Sequence, residues 1–152
     1  RQNWRRAGRT QSPLSLVLFD VDFFKQYNDL YGHQSGDACL QKIAAILEDE
    51  MKRTDDLAAR IGGEEFCCLL PHTEHDGALS LAQRIANRVR EEKMEHQGSE
   101  AADFVTLSGG VVTVSVVSES APDLFYEEAD KALYAAKRAG RNRVHSGRQV
   151  TS

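Results

Sequence analysis

Two acidic clusters and one basic cluster hold the residues that could do chemistry in this sequence. The first, Asp20-Val21-Asp22, directly follows the apolar run Leu16–Phe19. Side chains alternate along a strand, so Asp20 and Asp22 would share a face. A carboxylate at the end of a core strand is held rigidly, as a metal ligand must be. The plainer alternative has Asp22 capping the next helix and Asp20 solvated at the strand end. The second cluster, Gly62-Gly63-Glu64-Glu65-Phe66, places two acids at a glycine turn. By itself it reads as a solvated turn. Folded against Asp20, it gives three neighbouring carboxylates, each pair repelling by ~1 kcal/mol at 4 Å in water and several times more near a protein surface. A divalent cation relieves that repulsion, and hard oxygen ligands select Mg²⁺ or Mn²⁺. Mg²⁺ held by one or two carboxylates keeps positions open for phosphate oxygens, the usual arrangement in phosphoryl transfer.

The basic cluster is Lys137, Arg138, Arg141 and Arg143. Cations near a helix C-terminus favour the macrodipole, and Gly140 suits the residue just past the helix. The same groups could hold the outer phosphates of a nucleotide, with Lys25 contributing from an earlier helix. The five histidines are scattered, and neither HExxH nor CxxC spacing occurs, which leaves no zinc signature. Cys67-Cys68 reads as strand packing.

The elements that must position these groups follow from periodicity. Ser15–Val21 is continuously apolar at its centre, which predicts a strand covered on both faces. A short helix runs from Asp22 to about Tyr31 and ends at Gly32. A second spans about Gln34–Met51, with Leu40, Ile43, Ala44, Leu47 and Met51 on one face. Leu57–Ile61 and Glu65–Leu70 flank Gly62-Gly63 and form a hairpin, whose turn needs positive φ. A helix of about Asp76–Lys93, a β segment Phe104–Val117, a helix of about Asp123–Ala139 and an edge strand at Arg143–His145 complete the chain. Gly109-Gly110 inside the β segment marks a bulge or close packing. The order β-α-α-β-β-α-β-α-β predicts an α/β (α+β) fold with a central, mostly antiparallel five-stranded sheet flanked by helices.

Composition narrows the classes further. At 152 residues the chain fits one domain. Hydrophobic residues make up 41% and charged residues 28%, which argues against disorder. The longest apolar run is far shorter than the ~20 residues of a membrane span, and no apolar leader follows the basic N-terminus. A net charge of −4 gives no bulk attraction to nucleic acid or anionic lipid. Three cysteines, two of them adjacent, fit a reducing cytosol better than a disulfide framework.

These pieces, in this order, resemble the GGDEF family of bacterial diguanylate cyclases. The resemblance rests on SLVLFDVDFFKQYNDLYGHQSGD at Ser15–Asp37, RIGGEEF at Arg60–Phe66, VTLSGGV at Val105–Val111 and ADKALYAAKRAGRNRV at Ala129–Val144. It implies a sheet of the nucleotidyl-cyclase or polymerase-palm kind over residues 13–146, between a tail at 1–12 and another at 147–152. It further implies that Asp20, the Val21 carbonyl and Glu64 coordinate divalent cations, two Mg²⁺ or Mn²⁺ per site. Glu65 would stand beside the ribose 3′-hydroxyl as general base or positioning group. Asn28 and Asp37 would read guanine, whose N1–H and exocyclic amine a carboxylate can accept together. Lys25, Lys137 and Arg141 would bind the triphosphate, and Gly62 and Gly63 would let the backbone approach the nucleotide. The implied reaction joins two GTP into cyclic di-GMP with release of two pyrophosphates, in a homodimer because each domain holds one GTP.

The resemblance also implies an inhibitory site for the product. Arg53-Thr54-Asp55-Asp56 contains RxxD, five residues before Gly62, and Arg84 matches a supporting arginine on the next helix. A surface helix end is the plain alternative for Arg53 and Asp56. Two departures stand out: Glu64 replaces the family's usual Asp, and Gly109 occupies a position that is usually apolar. The family's LTGLxNR-type segment is absent, and residues 1–12 look severed, which suggests a fragment whose upstream sensor or dimerising domain is missing. The competing reading is a catalytically silent module that binds GTP or cyclic di-GMP. A relative that makes an adenine-containing product is a third, which Asn28 and Asp37 disfavour. The implied location is the bacterial cytoplasm, without nucleic-acid or membrane contact from this segment.

Overall fold

All eight residues of Leu14–Val21 are buried, so this strand, β1, can only lie in the sheet's interior. The computed structural model describes residues 12–114 and 121–147. The expected N-terminal tail, residues 115–117 of the expected β segment and the last residues of the C-terminal tail lie outside the described residues. The remaining strands are β2 (Leu57–Gly62), β3 (Glu65–Pro71), β4 (Leu107–Val114) and β5 (Val144–Ser146). The helices are α1 (Phe24–Tyr31), α2 (His33–Glu50), α3 (His75–Glu91) and α4 (Ala121–Arg138). The sheet order is β2-β3-β1-β4-β5, antiparallel except for the parallel β4–β5 pair. The expected α+β class and element order are therefore observed.

Alternation along β1 divides the core. Val17, Phe19 and Val21 pack with Ile43 and Leu47 of α2 and with Ala82, Ile85 and Val89 of α3. Leu14, Leu16 and Leu18 pack on the other face with Phe125, Ala129 and Leu133 of α4. Full burial of one such Leu, Ile or Phe side chain is worth about 1.5–3 kcal/mol. The result is a three-layer unit in which β1 delivers its C-terminal end to one rim of the sheet.

Several local expectations change. Asp22 does not cap α1. The N-cap is Phe23, in the left-handed region at φ 55°, with no side-chain cap. The Asp22 carboxylate is fully buried and already engaged by other elements. Gly32 ends α1 as expected, at φ 93°, its N–H donating to the Asn28 carbonyl at 2.8 Å. In the hairpin, Gly62 pairs with Glu65 as the last residue of β2, so the turn is Gly63-Glu64 and only Gly63 needs positive φ (43°). The register shifts between Arg60 and Gly62. β4 starts at Leu107, and Phe104 makes only an isolated bridge with Glu95.

Gly109 and Gly110 lie in unbroken register with β1, so close packing and not a bulge explains them. A Cβ on Gly109 would come within 3.0 Å of the Phe19 ring. On Gly110 it would lie 2.4 Å from the Leu133 nitrogen and 2.5 Å from the Ala129 carbonyl oxygen. The α4 backbone thus rests directly on β4 and cannot yield as a side chain could. Gly110→Ala should destabilise the domain by about 1–3 kcal/mol through overpacking. Urea unfolding measures this, and an unchanged midpoint would show that α4 does not sit on the glycine.

Candidate active site

The hairpin tip lies alongside the end of β1. Asp20 stands opposite Glu65 in the β1–β3 register, and the Val21 N–H donates to the Glu64 carbonyl at 3.2 Å. On its other side Asp20 faces Ser108 of β4. Asp20 is buried, and the Lys137 ammonium at the end of α4 donates to its carboxylate. The Glu65 carboxyl is pushed above the usual range, first by burial and then by the Asp20 charge. Lys137 opposes that rise, while Asp130 and Glu64 add to it. Asp20, Glu64, Asp130 and Lys137 thus all act electrostatically on Glu65.

Asp22 does not share this site, because β1 ends at Val21 and the chain turns at Phe23. Its carboxylate accepts from Thr106 Oγ1 at 2.7 Å, Ser108 Oγ at 2.6 Å and the Asn142 N–H at 2.9 Å. The Arg141 guanidinium lies 3.8 Å away. Burial pushes the Asp22 carboxyl up, and these partners pull it back.

Of the expected triphosphate groups, Lys137 and Arg141 meet. With Phe23, Glu100, Ala101 and Gly140 they line a cleft of about 280 Å³. The Arg141 guanidinium stacks 4.6 Å from the centroid of the Phe23 ring. Lys25 stands apart: its side chain is exposed and lies 3.5 Å from Asp29, one turn along α1. Nothing approaches within 4 Å of where a Cβ would stand on Gly62 or Gly63, so space beside the turn is open.

Asn28 packs against Gly36 of α2, while Asp37 is exposed on that helix. The Asn28 Oδ1 is buried without a hydrogen-bond partner, and a Cβ on Gly36 would lie 1.8 Å from it. Asp37 lines a cavity of about 330 Å³ with Leu40, Gln41, Ala44 and Arg60. A buried acceptor without a partner is costly and calls for an explanation, of which a ligand is one.

Arg53 and Asp56 close a turn after α2. The Arg53 N–H lies 3.3 Å from Asp56 Oδ2, the Asp56 N–H donates to the Arg53 carbonyl, and Arg53 Nη1 donates to the His72 carbonyl at 2.8 Å. Arg84 donates to Glu50 at 2.9 Å, near the end of α2 and a few residues before that turn. Burial raises the Glu50 carboxyl, but the arginine contacts outweigh it and leave Glu50 below its ordinary value.

Sequence reasoning missed four contributors. Phe23 and Glu100 gave no signal, since neither a left-handed residue nor a loop crossing is visible as a motif. Asp130 and Tyr126 were findable, because they precede Lys137 by about two and three helical turns on α4. The Tyr126 hydroxyl is pushed up by burial and then by Glu65 and Asp130.

Among the described residues no three His, Cys, Asp or Glu side chains converge as a closed metal cage. Asp20 and Glu64 nonetheless bring carboxylate-bearing residues to adjoining strand ends, the Val21 N–H bonding the Glu64 carbonyl, and a cationic ammonium already lies against Asp20. Mg²⁺ needs only one or two carboxylates plus phosphate oxygens, so the donors present fit it.

Comparison with known proteins agrees with this geometry. The family described as diguanylate cyclase, GGDEF domain, matches residues 1–143. Diguanylate cyclase A of Treponema denticola is 42% identical over 138 residues, covering 91% of this chain and 36% of the relative. Diguanylate cyclase DosC of Escherichia coli is 37% identical over 138 residues, covering 91% of this chain and 29% of the relative. The chain therefore spans about a third of the length of the curated relatives it matches. The active GGEEF domain of a diguanylate cyclase from Vibrio cholerae superposes with a TM-score of 0.83 at 34% identity, covering 99% of this chain and 92% of that one. The GGDEF domain of DgcB from Caulobacter crescentus, solved with c-di-GMP, superposes at 0.82 and 28% identity, covering 95% and 84%.

The electrostatic coupling gives a direct test. Among the described residues, Lys137 is the one cation holding the Glu65 carboxyl down, so Lys137→Met should raise its pKa further. Carboxyl-carbon NMR titration of both proteins would show it, and an unmoved Glu65 would mean that Lys137 does not act on it.

Proposed function

This chain belongs to the diguanylate cyclase GGDEF-domain family, and on that premise we propose that it condenses two GTP into cyclic di-GMP with release of two pyrophosphates. The observation that carries the reading is the meeting of Asp20, the Glu64-Glu65 tip and Lys137 at one end of β1. Two copies meet face to face, each holding one GTP. In each half-reaction a ribose 3′-oxygen bonds to the α-phosphorus of the other nucleotide. The bond from that phosphorus to the β-phosphate bridging oxygen breaks, and pyrophosphate departs with the electron pair. Glu65 positions the 3′-hydroxyl and takes its proton, a role suited by a carboxyl pushed upward in pKa.

Asp20, the Val21 carbonyl and Glu64 would hold two Mg²⁺ or Mn²⁺, which lower the pKa of the hydroxyl and screen the phosphate charge. Lys137 and Arg141 take the outer phosphates in the cleft beside Phe23. Lys25 joins them by leaving Asp29, at little cost because that pair is exposed. Asn28 and Asp37 read the guanine edge, the Asp37 carboxylate receiving N1–H and the amine. The relatives are longer than this chain, and a further domain outside it brings copies together in response to a signal. No described helix is long and apolar enough to cross a membrane. A cytoplasmic location is part of this proposal, and GTP as the substrate supports it.

Arg53, Asp56 and Arg84 form an inhibitory site for the product. Support comes from the DgcB relative solved with c-di-GMP and from the attachment of both the turn and Arg84 to the end of α2. Bound product reorients the domains and prevents productive pairing.

Pyrophosphate release from GTP should require Mg²⁺ or Mn²⁺ and should rise faster than linearly with protein concentration. Glu65→Gln should lower it by about 10²–10⁴-fold, the usual range for a lost proton acceptor. A chain that binds GTP but releases no pyrophosphate at high concentration would identify the silent module instead. Arg53→Ala should shift the inhibition curve for added cyclic di-GMP to higher concentration, and an unchanged curve would remove the inhibitory site.

A further inference from the structure

Three residues other than glycine adopt left-handed backbone conformations around one buried carboxylate. They are Phe23 (φ 55°), Arg141 (φ 64°) and Asn142 (φ 52°), and Gly140 before them is at φ 126°. Side chains with a Cβ are disfavoured in this region, and such residues persist only where their surroundings hold them. The carboxylate is Asp22, on which Thr106, Ser108 and the Asn142 N–H converge, with Arg141 beside it. A buried carboxylate is itself costly to keep, so two unfavourable features support one another here.

The turn is held from a second side. Arg90 of α3 donates to the Asn142 side-chain oxygen at 2.8 Å. Arg90 does not line the Lys137–Arg141 cleft, and its other contact is with Asn87 of its own helix. The strained pair Arg141-Asn142 is therefore pinned between the end of β1 and α3. Phe23, next to Asp22, supplies the ring on which the Arg141 guanidinium rests. Its carbonyl accepts both from the Tyr27 N–H and from the ring of the fully buried His96, at 3.0 and 2.9 Å. Without these contacts the turn could relax to ordinary backbone angles, and Arg141 would leave the cleft.

We propose that Asp22 and Arg90 are positioning residues for the triphosphate, acting through the strained Arg141–Asn142 turn and touching no nucleotide themselves. The inference rests on the cyclase reading above. It separates phosphate recognition from base recognition, because neither Asn28 nor Asp37 lines the Lys137–Arg141 cleft.

The test compares binding of GTP and of guanosine to the unaltered chain, Asp22→Asn and Arg90→Gln. Calorimetry serves for the nucleotide and NMR titration for the nucleoside. Arg90→Gln should weaken GTP about 3- to 10-fold, the worth of one net hydrogen bond, and leave guanosine unchanged. Asp22→Asn should weaken GTP by about tenfold or more, again without moving guanosine. Should Asp22→Asn fail to fold, the half-buried Arg90→Gln, which removes one hydrogen bond to the turn and no buried charge pair, decides the question alone. Equal GTP affinity in Arg90→Gln and the unaltered chain would overturn the clamp. So would a parallel loss of both ligands, which marks a merely structural role. Absence of GTP binding by the unaltered chain would instead overturn the cyclase reading, and the clamp with it.

Discussion

Asp20 and Glu65 face each other across the β1–β3 register, and their mutual repulsion is the constraint that the rest of the molecule accommodates. Neither can move aside. Asp20 is the penultimate residue of a strand buried on both faces, and Glu65 begins one whose partners on either side are β1 and β2. Relief must come from a cation, and the described residues bring one from 117 residues away, Lys137 on α4. Holding that helix in place requires close seating on β4, which is where the glycine pair enters. The acidic tip, the central strand and the last helix are thus three parts of one electrostatic balance.

Much of this was legible in the sequence because it depends on periodicity and on local turn chemistry. A continuous apolar run gave β1. Helical spacing gave α2, expected at about Gln34–Met51 and found at His33–Glu50. It also gave α3, expected at about Asp76–Lys93 and found at His75–Glu91. The two glycines gave the hairpin, though only one of them needed its freedom. Asp22 misled because an aspartate just before a helix satisfies the capping pattern whether or not it caps. Its actual partners are 84, 86 and 120 residues away in sequence, and no local rule sees that far.

The same limit explains what the candidate site kept hidden. His96 was read as one of several scattered histidines in a loop, and loops ordinarily lie at the surface. It is instead fully buried, with Tyr27 and Tyr31 at ring-edge contact and Phe23 as its hydrogen-bond acceptor. Beyond an enrichment of Asn, Asp and His, left-handed residues other than glycine carry no sequence signature, so Phe23 and Arg141 could only be found in three dimensions. Strain of this kind gathers where a fold must place a functional group against its own preference.

The seat of α4 on β4 also fixes a phase. Leu133, which touches the glycine position, and Lys137, which reaches Asp20, are four residues apart and so nearly eclipsed along the helix axis. Inserting or deleting a single residue between them would rotate the lysine by about 100° around that axis. Its amine would then swing away from the carboxylate. Loops of this domain can lengthen over evolutionary time, whereas that one turn of helix is locked to its length as a key is to its notches.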